Sequence, residues 1–133
     1  MLRHIGLQYR SKKDAETFFN KILGLPMQRT FTMSCELGKS IFGIEEEVGV
    51  EVFGKGEVVF EVFIGDATKK FSYEHICLEI PDKEKFISRC KNYGIEPKIV
   101  RKSVTDPYGG DKDLLFIRDF SGYLYEIKEK QNQ

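Results

Sequence analysis

Two histidines, His4 and His75, occur in the chain, and each opens the same short pattern. His4-Ile5-Gly6-Leu7 and His75-Ile76-Cys77-Leu78 both read histidine, aliphatic, small residue, leucine. Two glutamates stand in matched settings as well, Glu61 in Phe60-Glu61-Val62 and Glu126 in Tyr125-Glu126-Ile127. Neutral imidazoles and carboxylates form a donor set for a divalent first-row ion such as Zn, Ni, Co, Mn or Fe. Alternation along the strand places Glu61 on one face with Val59 and Phe63. A lone carboxylate there is unfavourable unless a cation meets it. Taken singly, a strand histidine is more often a surface or hydrogen-bonded residue, and a strand glutamate is usually solvated. The matched repeat is what makes His4, Glu61, His75 and Glu126 a candidate metal site. Glu51 is a competing carboxylate on the neighbouring strand. Glu61 is preferred because its tripeptide is the repeat mate of the one around Glu126.

The elements that must position these residues also come in two sets. Residues 2–9 alternate, with Ile5 and Leu7 on the face that should meet a helix and His4 on the other. Ser11 is a candidate N-cap for a helix over Lys12–Leu23, whose stripe is Ala15, Phe18, Phe19, Ile22 and Leu23. Gly24 and Pro26 end it. A strand is expected over Met27–Met33. Ser34 is placed to cap a short helix over Cys35–Phe42 that would pack through Leu37, Ile41 and Phe42, although Gly38 weakens it and an extra strand competes. Val48–Phe53 and Glu57–Ile64 form an expected hairpin around Gly54-Lys55-Gly56.

The second half repeats the order. A strand over Tyr73–Ile80 leads to a helix over Lys83–Tyr93, with Phe86, Ile87, Cys90 and Tyr93 as its apolar face. A strand over Pro97–Lys102, a loop over Ser103–Lys112, a strand over Asp113–Arg118, a turn at Asp119–Gly122 and a strand over Tyr123–Lys128 follow. The chain therefore reads as one α+β domain, 1–133, built by internal duplication from two βαβββ modules, 1–65 and 71–133. If their curved sheets share one concave surface, all four candidate ligands project into it.

Composition narrows the class. The 133 residues suit one domain with a real core. Basic and acidic residues balance at 21 each, which removes the usual electrostatic case for nucleic acid. No apolar run approaches the roughly 20 residues of a membrane span, and no secretory leader pattern opens the chain. Cys35, Cys77 and Cys90 lack motif spacing and are expected to be buried free thiols in a reducing cytoplasm.

These motifs resemble the vicinal oxygen chelate superfamily, which includes glyoxalase I, methylmalonyl-CoA epimerase, extradiol dioxygenases and the fosfomycin and bleomycin resistance proteins. The resemblance covers essentially the whole chain. It rests on the two His-containing runs, on Phe18-Phe19-Asn20-Lys21-Ile22-Leu23-Gly24-Leu25-Pro26, on Phe60-Glu61-Val62, and on Asp119-Phe120-Ser121-Gly122-Tyr123-Leu124-Tyr125-Glu126. The last is similar to the family's Asp-Pro-x-Gly ending, with Phe120 in the place of proline. The resemblance implies curved sheets around a metal cavity and ligands in the order His, Glu, His, Glu, as in glyoxalase I. It implies a metal-dependent lyase or isomerase that stabilises an enediolate of a small carbonyl substrate or its thiol adduct. Glu126 would be the base and Glu61 the second carboxylate. An epimerase acting beside a thioester, or a resistance-type binding protein without catalysis, is the alternative. It further implies a homodimer with a small-molecule substrate. Arg101, Lys102 and Arg118 are the cations available to an anionic substrate, and Phe63, Phe116 and Tyr108 the aromatics available to line a pocket.

Overall fold

The computed structural model describes residues 2–56, 58–66, 74–101 and 113–130. By internal contacts the chain divides into two units, Met1–Thr68 and Lys69–Gln133. The first contains β1 (His4–Tyr9), α1 (Lys12–Ala15) continued by a π-helical segment (Glu16–Ile22), β2 (Met27–Met33), α2 (Cys35–Phe42), β3 (Val48–Gly54) and β4 (Val59–Ile64). The second contains β5 (Ile76–Ile80), α3 (Lys83–Asn92), β6 (Lys98–Arg101), β7 (Asp113–Arg118) and β8 (Leu124–Glu129). Each unit folds one four-stranded mixed sheet, in the orders β1-β4-β3-β2 and β5-β8-β7-β6. The fold is α+β with a duplicated module, as the repeat implied. No helix among the described residues is long and apolar enough to cross a membrane.

In the first unit one sheet face packs against the helix that follows β1. Phe19 is the centre, with ring centroids 5.4 Å from Tyr9, 5.1 Å from Phe18, 5.3 Å from Phe53 and 5.0 Å from Phe60. Ala15, Phe18, Phe19 and Ile22 are all fully buried. The expected single α-helix instead widens, and the Leu23 N–H donates to the Phe18 carbonyl five residues back at 2.9 Å. Adjacent Phe18 and Phe19 both bury completely within this wider turn, their rings edge to face at 5.1 Å. In the second unit α3 is a regular helix, N-capped by the Asp82 carboxylate, which accepts from the Lys85 N–H at 3.1 Å. Phe86 and Cys90 meet a sheet face that carries Leu115, Ile117, Tyr125 and Ile127, all buried.

Two expectations about packing are corrected. Ser34 does cap α2, but Leu37, Ile41 and Phe42 stay half exposed. The helix docks through its glycine. A Cβ on Gly38 would lie 2.8 Å from the Ile44 carbonyl oxygen, so an apolar side chain cannot occupy the contact face. Of the outward residues, only Phe42 gains a ring partner, Phe63, at 5.5 Å. The thiols are free, as expected, but only Cys90 is buried. Cys35 starts α2 and Cys77 lies on the sheet face away from α3, so both are exposed. Burial pushes the Cys90 thiol up to about 11, which makes it inert as a nucleophile.

Candidate functional site

The two modules present their histidine and glutamate in the same register. β1 pairs with β4 in parallel, setting His4 opposite Val59 and Gly6 opposite Glu61. β5 pairs with β8 in parallel, setting Cys77 opposite Glu126. In each case the histidine precedes by two residues the small residue facing the glutamate. Residues two apart share a face, so histidine and glutamate lean towards each other across the parallel ladder. The face is the one turned away from the helix core, as alternation indicated. His4 Nε2 lies 3.6 Å from Glu61 Oε1, and His75 Nε2 lies 3.9 Å from Glu126 Oε2. Both glutamate side chains are 18% exposed, and the histidines are about half exposed.

These separations suit a shared cation. Nitrogen and oxygen donors about 2.0–2.2 Å from a tetrahedral ion stand roughly 3.4 Å apart. Each pair is slightly wider than that, with its donor atoms facing one another. Among the described residues, each unit gathers two such donors, and no group of three or more His, Cys, Asp or Glu side chains forms an arrangement that could hold an ion.

Glu51 is not part of this face. It pairs with Val62, whereas Glu61 pairs with Val52, so the two glutamates project from opposite sides of the sheet. Glu51 is 2% exposed and sits towards the helix carrying Glu16. Burial, reinforced by a hydrogen bond to the Glu16 carboxyl and by its charge, pushes Glu51 up to about 7, with Lys12 pulling the other way. While both groups are ionised, each carboxylate can only accept, and neither Glu51 oxygen has a donor. The hydrogen bond to Glu16 exists when one of the pair is protonated.

Two residues not expected in the site emerge from the strand register, and a third from the hydrogen bonds of the last turn. Arg29 opposes Val52, which opposes Glu61. Lys98 opposes Phe116, which opposes Glu126. Each module thus carries a row of cation, apolar residue, glutamate and small residue on one face. A cavity of about 640 Å³ in the first unit is lined by His4, Glu61, Val52, Gln28 and Arg29. One of about 600 Å³ in the second is lined by Lys98, Phe116, Arg118, Phe120 and Leu124, and neither His75 nor Glu126 is among its lining residues. Arg118 donates to the Gly122 carbonyl at 2.8 Å. The Arg101 side chain, Lys102, Tyr108 and the expected loop over Ser103–Lys112 lie outside the described residues.

The third residue is Asp119, which holds β8 in place. Its buried carboxylate accepts from the Ser121 N–H at 3.0 Å, the Tyr123 N–H at 2.9 Å and the Tyr125 hydroxyl at 2.9 Å. Tyr125 precedes Glu126, so the same carboxylate fixes both the turn and the strand that presents the glutamate. Asp119→Ala leaves these donors without their acceptor and is expected to lower stability by on the order of 3 kcal/mol in urea denaturation. A loss well under about 1 kcal/mol would show that the carboxylate does not hold the turn.

No family model matches the chain, and no curated protein matches it. Solved structures do. A glyoxalase family protein from Bacillus cereus aligns over 98% of this chain and 94% of its own, at 18% identity and a TM-score of 0.71. The fosfomycin resistance protein FosX from Listeria monocytogenes aligns over 98% and 93%, at 17% identity and a TM-score of 0.69. A crystal structure of that FosX with Mn(II) and a sulfate ion aligns at 17% identity and a TM-score of 0.67, over 98% and 93%.

Proposed function

From a chain with the fold of the vicinal oxygen chelate superfamily, we propose a metal-dependent lyase or isomerase of the glyoxalase type, acting on a small carbonyl compound or its thiol adduct. The observation that carries this reading is the duplicated His–Glu pair, with donor atoms 3.6 Å and 3.9 Å apart at equivalent register positions. His4, Glu61, His75 and Glu126 would be the ligands of a divalent first-row ion. Mn(II) in a FosX of the same fold supports a divalent metal. The ion would supply Lewis-acid stabilisation to two adjacent substrate oxygens. Glu126 moves a proton at the carbon beside the carbonyl, and Glu61 is the second carboxylate. The chain works as a homodimer in a reducing, cytoplasmic setting that suits the exposed thiols of Cys35 and Cys77.

Elemental analysis of the purified protein and of His75→Ala tests this. Near-stoichiometric metal in the wild type and a loss of most of it in the variant are expected, since removing one inner ligand weakens a four-donor site severely. No metal in either protein, or equal metal in both, would remove the catalytic reading. The likeness to FosX favours one second reading, a resistance-type protein that binds a small molecule. Tight ligand binding by metal-free protein, without turnover, would select it.

A further inference from the structure

Arg29 begins the regular part of β2, in one register with residues 30–33, and the departure from strand geometry lies just before it, at Met27 and Gln28. Met27 pairs with Phe53 on the helix side of the sheet, and the register then shifts, so that Arg29 and not Gln28 pairs with Val52. The extra residue is Gln28, whose Nε2 donates to the Gly54 carbonyl at 3.1 Å and ties the bulge to the β3 end. Bulges re-aim side chains in this way. This one sends Met27 to the helix side, while Arg29 stays with Phe31 on the face of His4 and Glu61. The Arg29 guanidinium rests over the Phe31 ring, 5.1 Å from its centroid, which steadies the plane and leaves its edge donors available. Among the described residues no carboxylate forms an ion pair with it. Arg29 lies two interstrand steps from Glu61, ~10 Å across the sheet, with buried Val52 between them. One cavity runs along this row from the His4–Glu61 pair to Arg29. The second module repeats the row with Lys98 in the cation's place.

We propose that Arg29 is a specificity-determining residue whose guanidinium receives an oxyanion at the far end of the substrate, while the carbonyl end lies at the His4–Glu61 pair. This rests on the function proposed above and names the substrate class, a short carbonyl compound that carries a second, terminal anionic group. The fork of a guanidinium matches the paired oxygens of a carboxylate or phosphonate. Val52 supplies an apolar floor for the chain between the two ends.

The test uses three probes that share an α-keto acid head. α-Ketoglutarate adds a terminal carboxylate, phosphonopyruvate adds a phosphonate, and α-ketobutyrate adds neither. Calorimetric titration of the full chain is made with Mn(II) and again after chelation. The wild type is expected to prefer at least one of the charged probes over α-ketobutyrate by on the order of tenfold, the yield of a charge-assisted hydrogen bond. The better charged probe identifies the oxyanion. Arg29→Ala should abolish the preference and leave α-ketobutyrate binding unchanged, and Arg29→Lys should restore part of it. A preference that survives Arg29→Ala, or its absence from the wild type, overturns the proposal. Arg29 is exposed, so its removal should leave the thermal midpoint unchanged. If chelation alters no affinity, the metal reading fails, while the Arg29 comparison still decides the anion subsite.

Discussion

Exchanging Glu126 for glutamine is expected to lower turnover of methylglyoxal–thiol adducts by about 10²–10⁴, the usual contribution of a positioned proton acceptor. Glutamine keeps the shape and one oxygen donor and removes the group that takes the proton. Metal content should stay largely in place, which separates this variant from His75→Ala. Glu61→Gln is the internal control, because the two carboxylates hold equivalent register positions and are equally exposed. They differ in surroundings. Glu126 stands beside Phe116 in its row, whereas Glu61 stands beside the smaller Val52 and opens on the cavity that Arg29 lines. Equal exposure gives neither carboxylate the better shielding, so the assignment of proton transfer to Glu126 and of holding and orienting to Glu61 rests on the resemblance to the glyoxalase type. Glu61→Gln should therefore cost less turnover than Glu126→Gln. Turnover within about threefold of wild type in Glu126→Gln would remove that residue from the proton-transfer step.

The pairs were legible in the sequence because they obey two simple periods. Strand alternation fixed which side of the sheet His4 and Glu61 face, and the repeat named Glu126 as the mate of Glu61. Neither inference needs tertiary information. Arg29 needs a tertiary fact, that Val52 and not Phe53 stands opposite it across the β2–β3 pair. Strict alternation through Met27–Met33 puts Met27 and Arg29 on one face, whereas the bulge at Gln28 sends them to opposite faces. That bulge is secured by a bond to Gly54, 26 residues away, which no local pattern reports. The exposed face of α2 is likewise not readable from local pattern. Its apolar stripe was legible, but the contact that orients the helix is made by Gly38, which contributes no side chain to a periodicity. The place of Glu51 on the strand next to Glu61 makes it a competing ligand in the sequence. Only the pairing with Val62 shows that it points into the core beside Glu16.

That buried carboxyl gives the second large prediction, the stability of Glu51→Leu. The register supplies the design. Glu51 pairs with Val62 in the first module as Leu115 pairs with Ile127 in the second, and Leu115 is fully buried. The fold thus already accommodates leucine at this place in its other copy. Glu51 has a folded pKa of about 7 against 4.5 for the free group, so the folded state binds its proton more tightly than the unfolded one. Stability is then fully present below about pH 4.5 and falls as pH rises through 7. With about 1.4 kcal/mol for each pH unit of displacement, the loss is on the order of 3 kcal/mol. Leucine has no proton to lose and is expected to flatten that decline. Denaturant titrations at low and high pH provide the check. The variant should exceed the wild type by about 3 kcal/mol above pH 8, with a smaller margin set by packing alone near pH 4. A wild type whose stability does not fall across this window, or a variant that falls with it, would show that Glu51 is ionised at no net penalty. Glu16→Gln separates the two causes. It removes the neighbouring charge while leaving Glu51 buried, so most of the pH dependence should persist, because burial is the larger contribution.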